Sequence, residues 1–104
     1  MTDALKQRIE NQIKSENIFL YMKGSPSAPM CGFSAQTASI LQSYKFPFGS
    51  FNILEDDDIR QGVKEYSDWP TFPQLYVRGE LVGGCDIVTE LHQSGELKNI
   101  LEGK

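Results

Sequence analysis

Leu5, Ile9 and Ile13 recur every four residues in an otherwise polar segment, one narrow apolar stripe that predicts an N-terminal helix packed on the body of the protein. The pattern then becomes continuous: Ile18, Phe19, Leu20, Tyr21 and Met22 form an unbroken apolar run, rich in β-formers and stopped by Gly24, Ser25 and Pro26. Such a run predicts a central strand covered on both faces. After a loop holding Pro26 and Pro29, Phe33, Thr37, Ile40, Leu41 and Tyr44 fall on one face of a second helix, with Cys31 just before it or in its first turn. Phe48, Phe51 and Ile53 predict another strand, with Pro47 at its start, where a missing ladder donor is harmless. Asp56, Asp57 and Asp58 precede Ile59, Val63 and Tyr66, which sets negative charge at the positive end of a third helix; Pro70 is expected to end it.

Gln74–Val77 and Leu81–Gly83 flank a turn at Arg78, Gly79 and Glu80 and predict a short antiparallel hairpin. Helical spacing returns at Ile87, Val88 and Leu91, is punctuated by Gly95, and closes with Leu97, Ile100 and Leu101. The order αβαβαββαα implies an α/β protein, a mixed four-stranded sheet with helices on both faces and right-handed crossovers. No repeat, low-complexity tract or Gly/Ser linker divides the chain, so residues 1–104 are expected to form one domain.

Composition narrows the function classes. With 39% hydrophobic and 11% aromatic residues, the chain can bury a real core. Ten basic against 14 acidic residues give a net charge of −4 with no basic run, which argues against nucleic acid and anionic membrane surfaces as partners. The apolar run at Ile18–Met22 is far short of the ~20 residues that span a bilayer, and Met1–Glu10 has neither a basic start nor an apolar signal core. A cytoplasmic protein is expected, or one in an organelle stroma or matrix if a transit peptide has been removed. Cys31 and Cys85 are too few for a disulfide scaffold, and no paired CxxC spacing offers a structural zinc site.

Cys31 is the first candidate for chemistry. At a helix N-terminus a cysteine meets unpaired backbone N–H groups and the positive end of the dipole, both favouring thiolate, and Lys23 at the end of the preceding strand adds a cation. The competing reading is a small buried hydrophobe, as isolated cysteines often are. His92, the only histidine, has no accompanying nitrogen ligand on its helix and reads as surface or partly packed. Trp69 and Tyr66 read as core residues first and partner-facing residues second.

Cys31, Gly32, Phe33 and Ser34 spell CGFS, and the stretches YMKGSPSAPMCGFSAQ, WPTFPQLYV and GELVGGCDI follow in order. Over essentially its whole length the chain resembles the monothiol glutaredoxins. That resemblance implies a thioredoxin-like fold that binds glutathione and holds a [2Fe-2S] cluster shared between two subunits. Such a centre usually takes four thiolates and one chain offers two cysteines, so sulfur must come from elsewhere. The resemblance names the source: Cys31 of each chain in a cluster-bound homodimer, plus the thiol of one glutathione bound to each. Ser34 stands where dithiol relatives keep a second cysteine, and without sulfur it cannot resolve a mixed disulfide; read locally, it is also a helix cap.

By the same similarity, Lys23 and Arg60 pair with the glycyl carboxylate of glutathione, although composition alone would leave either as a solvated surface charge. Thr71, Phe72 and Pro73 belong to the segment that sets a cis proline opposite the cysteine and turns the Phe72 backbone toward an extended peptide. Gly84, Cys85 and Asp86 precede the Ile87 helix, where amide groups suit the γ-glutamyl carboxylate and Asp86 its ammonium. The local alternatives are an N-cap for Asp86 and a packed sulfur for Cys85. Cys85 is not a cluster ligand on the family pattern.

The leading reading is a carrier that receives, stores and passes on [2Fe-2S] clusters to apo iron-sulfur recipient proteins. The alternative is a glutathione-dependent thiol-disulfide oxidoreductase with Cys31 as nucleophile. Its activity is expected to be weak at most, because the Ser25–Met30 loop is longer than in dithiol relatives and bears on how glutathione is presented. A BolA-type partner also follows from the resemblance.

Overall fold

A computed structural model describes residues 1–103. The elements run α1 (Asp3–Lys14), β1 (Ile18–Met22), β2 (Gly24–Ser25), β3 (Ala28–Pro29), α2 (Gly32–Ser43), β4 (Gly49–Asn52), a 3-10 turn (Ile53–Glu55), α3 (Asp57–Ser67), β5 (Gln74–Val77), β6 (Glu80–Gly83), α4 (Cys85–Ser94) and α5 (Glu96–Glu102). The main sheet has the order β4-β1-β5-β6; β1 is parallel to β4 and antiparallel to β5, which is antiparallel to β6. This is the mixed four-stranded sheet that the element order implied.

Strand periodicity explains the unbroken apolar run of β1. Phe19 and Tyr21 point to one face, where they meet Ile9 and Ile13 of α1 and Ile59 and Val63 of α3. Ile18, Leu20 and Met22 point to the other, against Ala38 and Leu41 of α2, Val88 of α4, and Leu97 and Leu101 of α5. A strand walled by helices on both sides has no face left for polar residues. None of the helices among the described residues is long and apolar enough to cross a membrane.

Four expectations are corrected. The loop after β1 contains a two-residue antiparallel ladder, Gly24 opposite Pro29 and Ser25 opposite Ala28, too short to show a hydrophobic alternation. Gly24 is required there: its φ is +88°, and a Cβ would lie 2.5 Å from the Ala28 carbonyl oxygen. Second, Thr37, Ile40 and Leu41 of α2 and its C-cap Tyr44 pack on the core as expected, but Phe33 is 63% exposed and Ser34 and Ala38 are buried in its place. Third, β4 starts at Gly49, after Pro47 and Phe48, and Ile53 opens the 3-10 turn because Asn52 accepts from the Leu54 N–H and bends the chain. Fourth, α3 stops before Pro70, at Ser67, with Asp68 left-handed at φ 53°. Asp56 is the N-cap of α3, accepting from the Ile59 N–H at 3.0 Å, as a helix-start carboxylate should.

Candidate functional site

The C-terminal end of β1 delivers Lys23 beside the N-terminus of α2. Cys31 is the N-cap of α2, with extended backbone and a half-buried side chain. Its thiol is held below its ordinary range. The largest cause is the Ser34 backbone N–H; burial opposes it, and the Phe33 N–H, the Lys23 charge and the Ser34 hydroxyl add to it. The buried-hydrophobe reading of this cysteine is therefore set aside.

Ser34 does not cap α2. Its side chain is fully buried, and its Oγ accepts from the Lys23 N–H at 3.1 Å, which ties the end of β1 to the first turn of the helix. The reason is position: the cap site falls to Cys31, and Ser34 lies in the first turn on the inward face. The Met30 N–H closes the intervening hairpin by donating to the Lys23 carbonyl at 2.9 Å.

Arg60 and Lys64 lie one turn apart on α3, so both side chains reach the same side of the molecule. Between α3 and β5, Trp69–Pro73 forms a wall that contains a cis Phe72–Pro73 bond, as the family resemblance implied. The opposite border is the start of α4, where Gly84 is the N-cap and Cys85 the first helical residue. Asp86 is thus in the first turn and not the cap, because the chain enters helical geometry two residues earlier than that reading required. The Cys85 sulfur is half-buried, 3.9 Å from Thr89 Oγ1.

These segments enclose a cavity of about 440 Å³, a volume suited to a small peptide-sized ligand. Lys23, Cys31, Arg60, Thr71, Phe72, Pro73, Gly84, Cys85 and Asp86 all line it. So do Phe33, Lys64, Trp69 and Ile87. Lys64 was legible in principle from its i+4 spacing to Arg60; Phe33 was misassigned to the core. Arg60 Nε is buried with no hydrogen-bond partner among the described residues. A guanidinium donor kept from water and from protein acceptors suits an incoming anion. Among the described residues no group of three or more His, Cys, Asp or Glu side chains is arranged to hold a metal ion. His92 is exposed, its Nδ1 2.6 Å from the Tyr44 hydroxyl, away from the cavity lining. Trp69 is exposed at the cavity rim and Tyr66 packs at the edge of the α1/α3 core, so the core-first reading holds for Tyr66 alone.

A family model described as Glutaredoxin matches residues 18–82. A probable monothiol glutaredoxin 2 of Rickettsia felis is 52% identical over 95 residues, covering 91% of this chain and 91% of its own length. The chain belongs to the monothiol glutaredoxins. Its fold is accordingly thioredoxin-like: the solution structure of reduced apo GrxS14 from poplar superimposes with a TM-score of 0.86 at 51% identity, covering 98% of this chain and 94% of that one. A buckwheat glutaredoxin solved as a glutathione complex shares the fold, with a TM-score of 0.84 at 21% identity over 99% of this chain and 96% of its own. Monothiol glutaredoxin-S11 of rice is 53% identical over 96% of this glutaredoxin chain, which spans only 20% of the rice protein's length. In the Arabidopsis relative monothiol glutaredoxin-S17 it spans 21%.

Proposed function

We propose that this glutaredoxin binds glutathione in the cavity and carries a [2Fe-2S] cluster between two copies of itself, for storage and for transfer to apo iron-sulfur proteins. The observation that carries this reading is the thiolate-biased Cys31 sulfur at a cavity lined by Lys23, Arg60 and Lys64. A centre that takes four thiolates is then completed from outside, by Cys31 of the second copy and by two glutathione thiols. Release is correspondingly easier than from four protein ligands, which suits a carrier.

In this reading Arg60 and Lys23 take the glycyl carboxylate, with the unpartnered Arg60 Nε as one donor. The Phe72 backbone pairs with the peptide portion, and Thr71 and Pro73 shape the wall beside it. The amides at Gly84 and Cys85, at the α4 N-terminus, receive the γ-glutamyl carboxylate, and Asp86 its ammonium. The family's glutathione complex from buckwheat supports the ligand class.

The thiolate bias of Cys31 also favours a second reading, glutathione-dependent oxidoreductase activity. Cys31 thiolate attacks the glutathionyl sulfur of a mixed disulfide and expels the protein thiolate. A second glutathione thiolate then attacks the Cys31-linked glutathione, giving glutathione disulfide and restoring Cys31. A BolA-type protein is a further partner in the proposal, and the cytoplasm its compartment; relatives described as mitochondrial and chloroplastic support an organelle stroma or matrix as the other setting.

Anaerobic reconstitution with iron, sulfide and glutathione tests the carrier reading. Visible absorption is expected together with a particle of twice the 11.7 kDa chain mass, and both are expected to vanish when glutathione is omitted or iron is chelated. Equal colour without glutathione, or a dimer equally stable before and after iron removal, would refute it.

A further inference from the structure

We propose that Gln74 is a positioning residue for glutathione, holding the Trp69–Pro73 wall of the cavity in place from inside the core. The inference rests on the glutathione-binding reading. Gln74 is the first residue of β5, paired opposite Tyr21 of the central strand, and is fully buried. A side-chain amide in such a place is costly unless its groups are hydrogen-bonded. Gln74 meets that demand with the wall itself: its Nε2 donates to the Trp69 carbonyl and to the Thr71 carbonyl, each at 3.2 Å. Both acceptors lie outside any helix or strand, where no backbone ladder supplies their donors.

The amide is itself oriented. Its Oε1 accepts from the Tyr76 hydroxyl at 3.0 Å, which leaves the NH2 end facing the wall. Tyr76 is 2% exposed, and burial above all pushes its phenol up to about 12, so it remains a donor through the physiological range. On the cavity side the wall rests on α4: a Cβ at Gly84 would lie 3.2 Å from the Pro73 carbonyl oxygen and 3.5 Å from Trp69 Nε1. The wall is therefore pinned beneath by Gln74 and abuts the Gly84 segment, and both borders line the cavity. A leucine would fill the same core space without the desolvation cost of an amide. What it would not do is hold the two carbonyls.

Trp69 is the only tryptophan, so its fluorescence reports the wall directly. Calorimetric titration of the apo chain with glutathione, alongside Trp69 emission and urea unfolding, tests the assignment. Gln74→Leu is expected to fold cooperatively, to shift the Trp69 emission maximum and lower its anisotropy in native buffer, and to bind glutathione about tenfold more weakly, the worth of two neutral hydrogen bonds. Gln74→Glu adds a pH signature. Its neutral acid offers one donor and its carboxylate none, so its affinity relative to wild type is expected to fall as pH rises. A purely structural role would lower the urea midpoint and leave native emission and affinity alone. Gln74→Leu binding within about twofold of wild type with unchanged Trp69 emission would overturn the proposal. Should that variant not fold, Tyr76→Phe carries the test: a shifted emission and weaker binding support it, and wild-type values in both overturn it. Failure of wild type to bind glutathione would sink the reading of the cavity, while the emission change would still decide whether Gln74 holds the wall.

Discussion

The sharpest consequence of the cavity concerns Arg60, whose Nε is buried without a hydrogen-bond partner among the described residues. Arg60→Met keeps much of the aliphatic stem and removes the charge; Arg60→Lys keeps a charge and loses the planar fork. A hydrogen bond to a charged group contributes about 1.5–3 kcal/mol, or roughly 10- to 150-fold in Kd. Arg60 is only half-buried, so the lower end applies and Arg60→Met is expected to weaken glutathione binding about tenfold. Stability runs the other way. An unsatisfied buried donor costs about 1–3 kcal/mol, and methionine removes it, so the apo variant should unfold at a urea midpoint no lower than wild type. Calorimetry with glutathione and with its glycyl-amide analogue isolates the carboxylate. Wild type should strongly prefer the free acid, Arg60→Met should lose most of that preference, and Arg60→Lys should recover part of it. If a Lys23→Ala/Arg60→Ala double variant kept the full preference, both cations would leave the site and the carboxylate would be assigned to helix-terminal amides.

Three further outcomes follow from the same geometry. Cys31→Ser should abolish the visible absorption of reconstituted protein while Cys85→Ser retains it; colour lost only in the Cys85 variant would reverse the ligand assignment. Ser34→Ala removes a hydroxyl that supports the Cys31 thiolate, so the pH profile of Cys31 alkylation should move toward higher pH; an unmoved profile would leave the thiolate to the backbone amides and Lys23. Asp56 is held below the usual carboxylate range, first by the Ile59 N–H and then by its bond to Arg8 at 2.7 Å. Its contribution to stability is therefore present above the unfolded value near 3.8 and lost as pH falls through the folded one, so Asp56→Asn should flatten the acid limb of a Tm-against-pH curve. Parallel acid limbs would remove Asp56 from that role.

The helices and strands that build the two cores were legible because their residues obey a period, and the unbroken apolar run of β1 was legible because helices cover both its faces. The Gly24–Pro29 ladder was not, since two residues per strand carry no alternation. The cis Phe72–Pro73 bond and the grouping of Lys23, Arg60 and Asp86 came only through motif likeness, because spacing along a chain does not encode meeting across it. The most instructive miss is α2. An amphipathic reading puts Phe33 inward and treats Ser34 as a helix cap; in the fold Phe33 is exposed on the cavity and Ser34 is fully buried, holding Lys23. Gln74 makes the same inversion at the other wall, a buried polar residue at a strand position that packing would fill with an apolar one. A binary pattern assigns each residue to water or to core, and it fails where a side chain serves a surface that is neither. Of the three buried polar side chains among the described residues, Ser34 and Gln74 each hold backbone that borders the cavity. The departures from the pattern thus gather at the borders of the cavity that Cys31 lines.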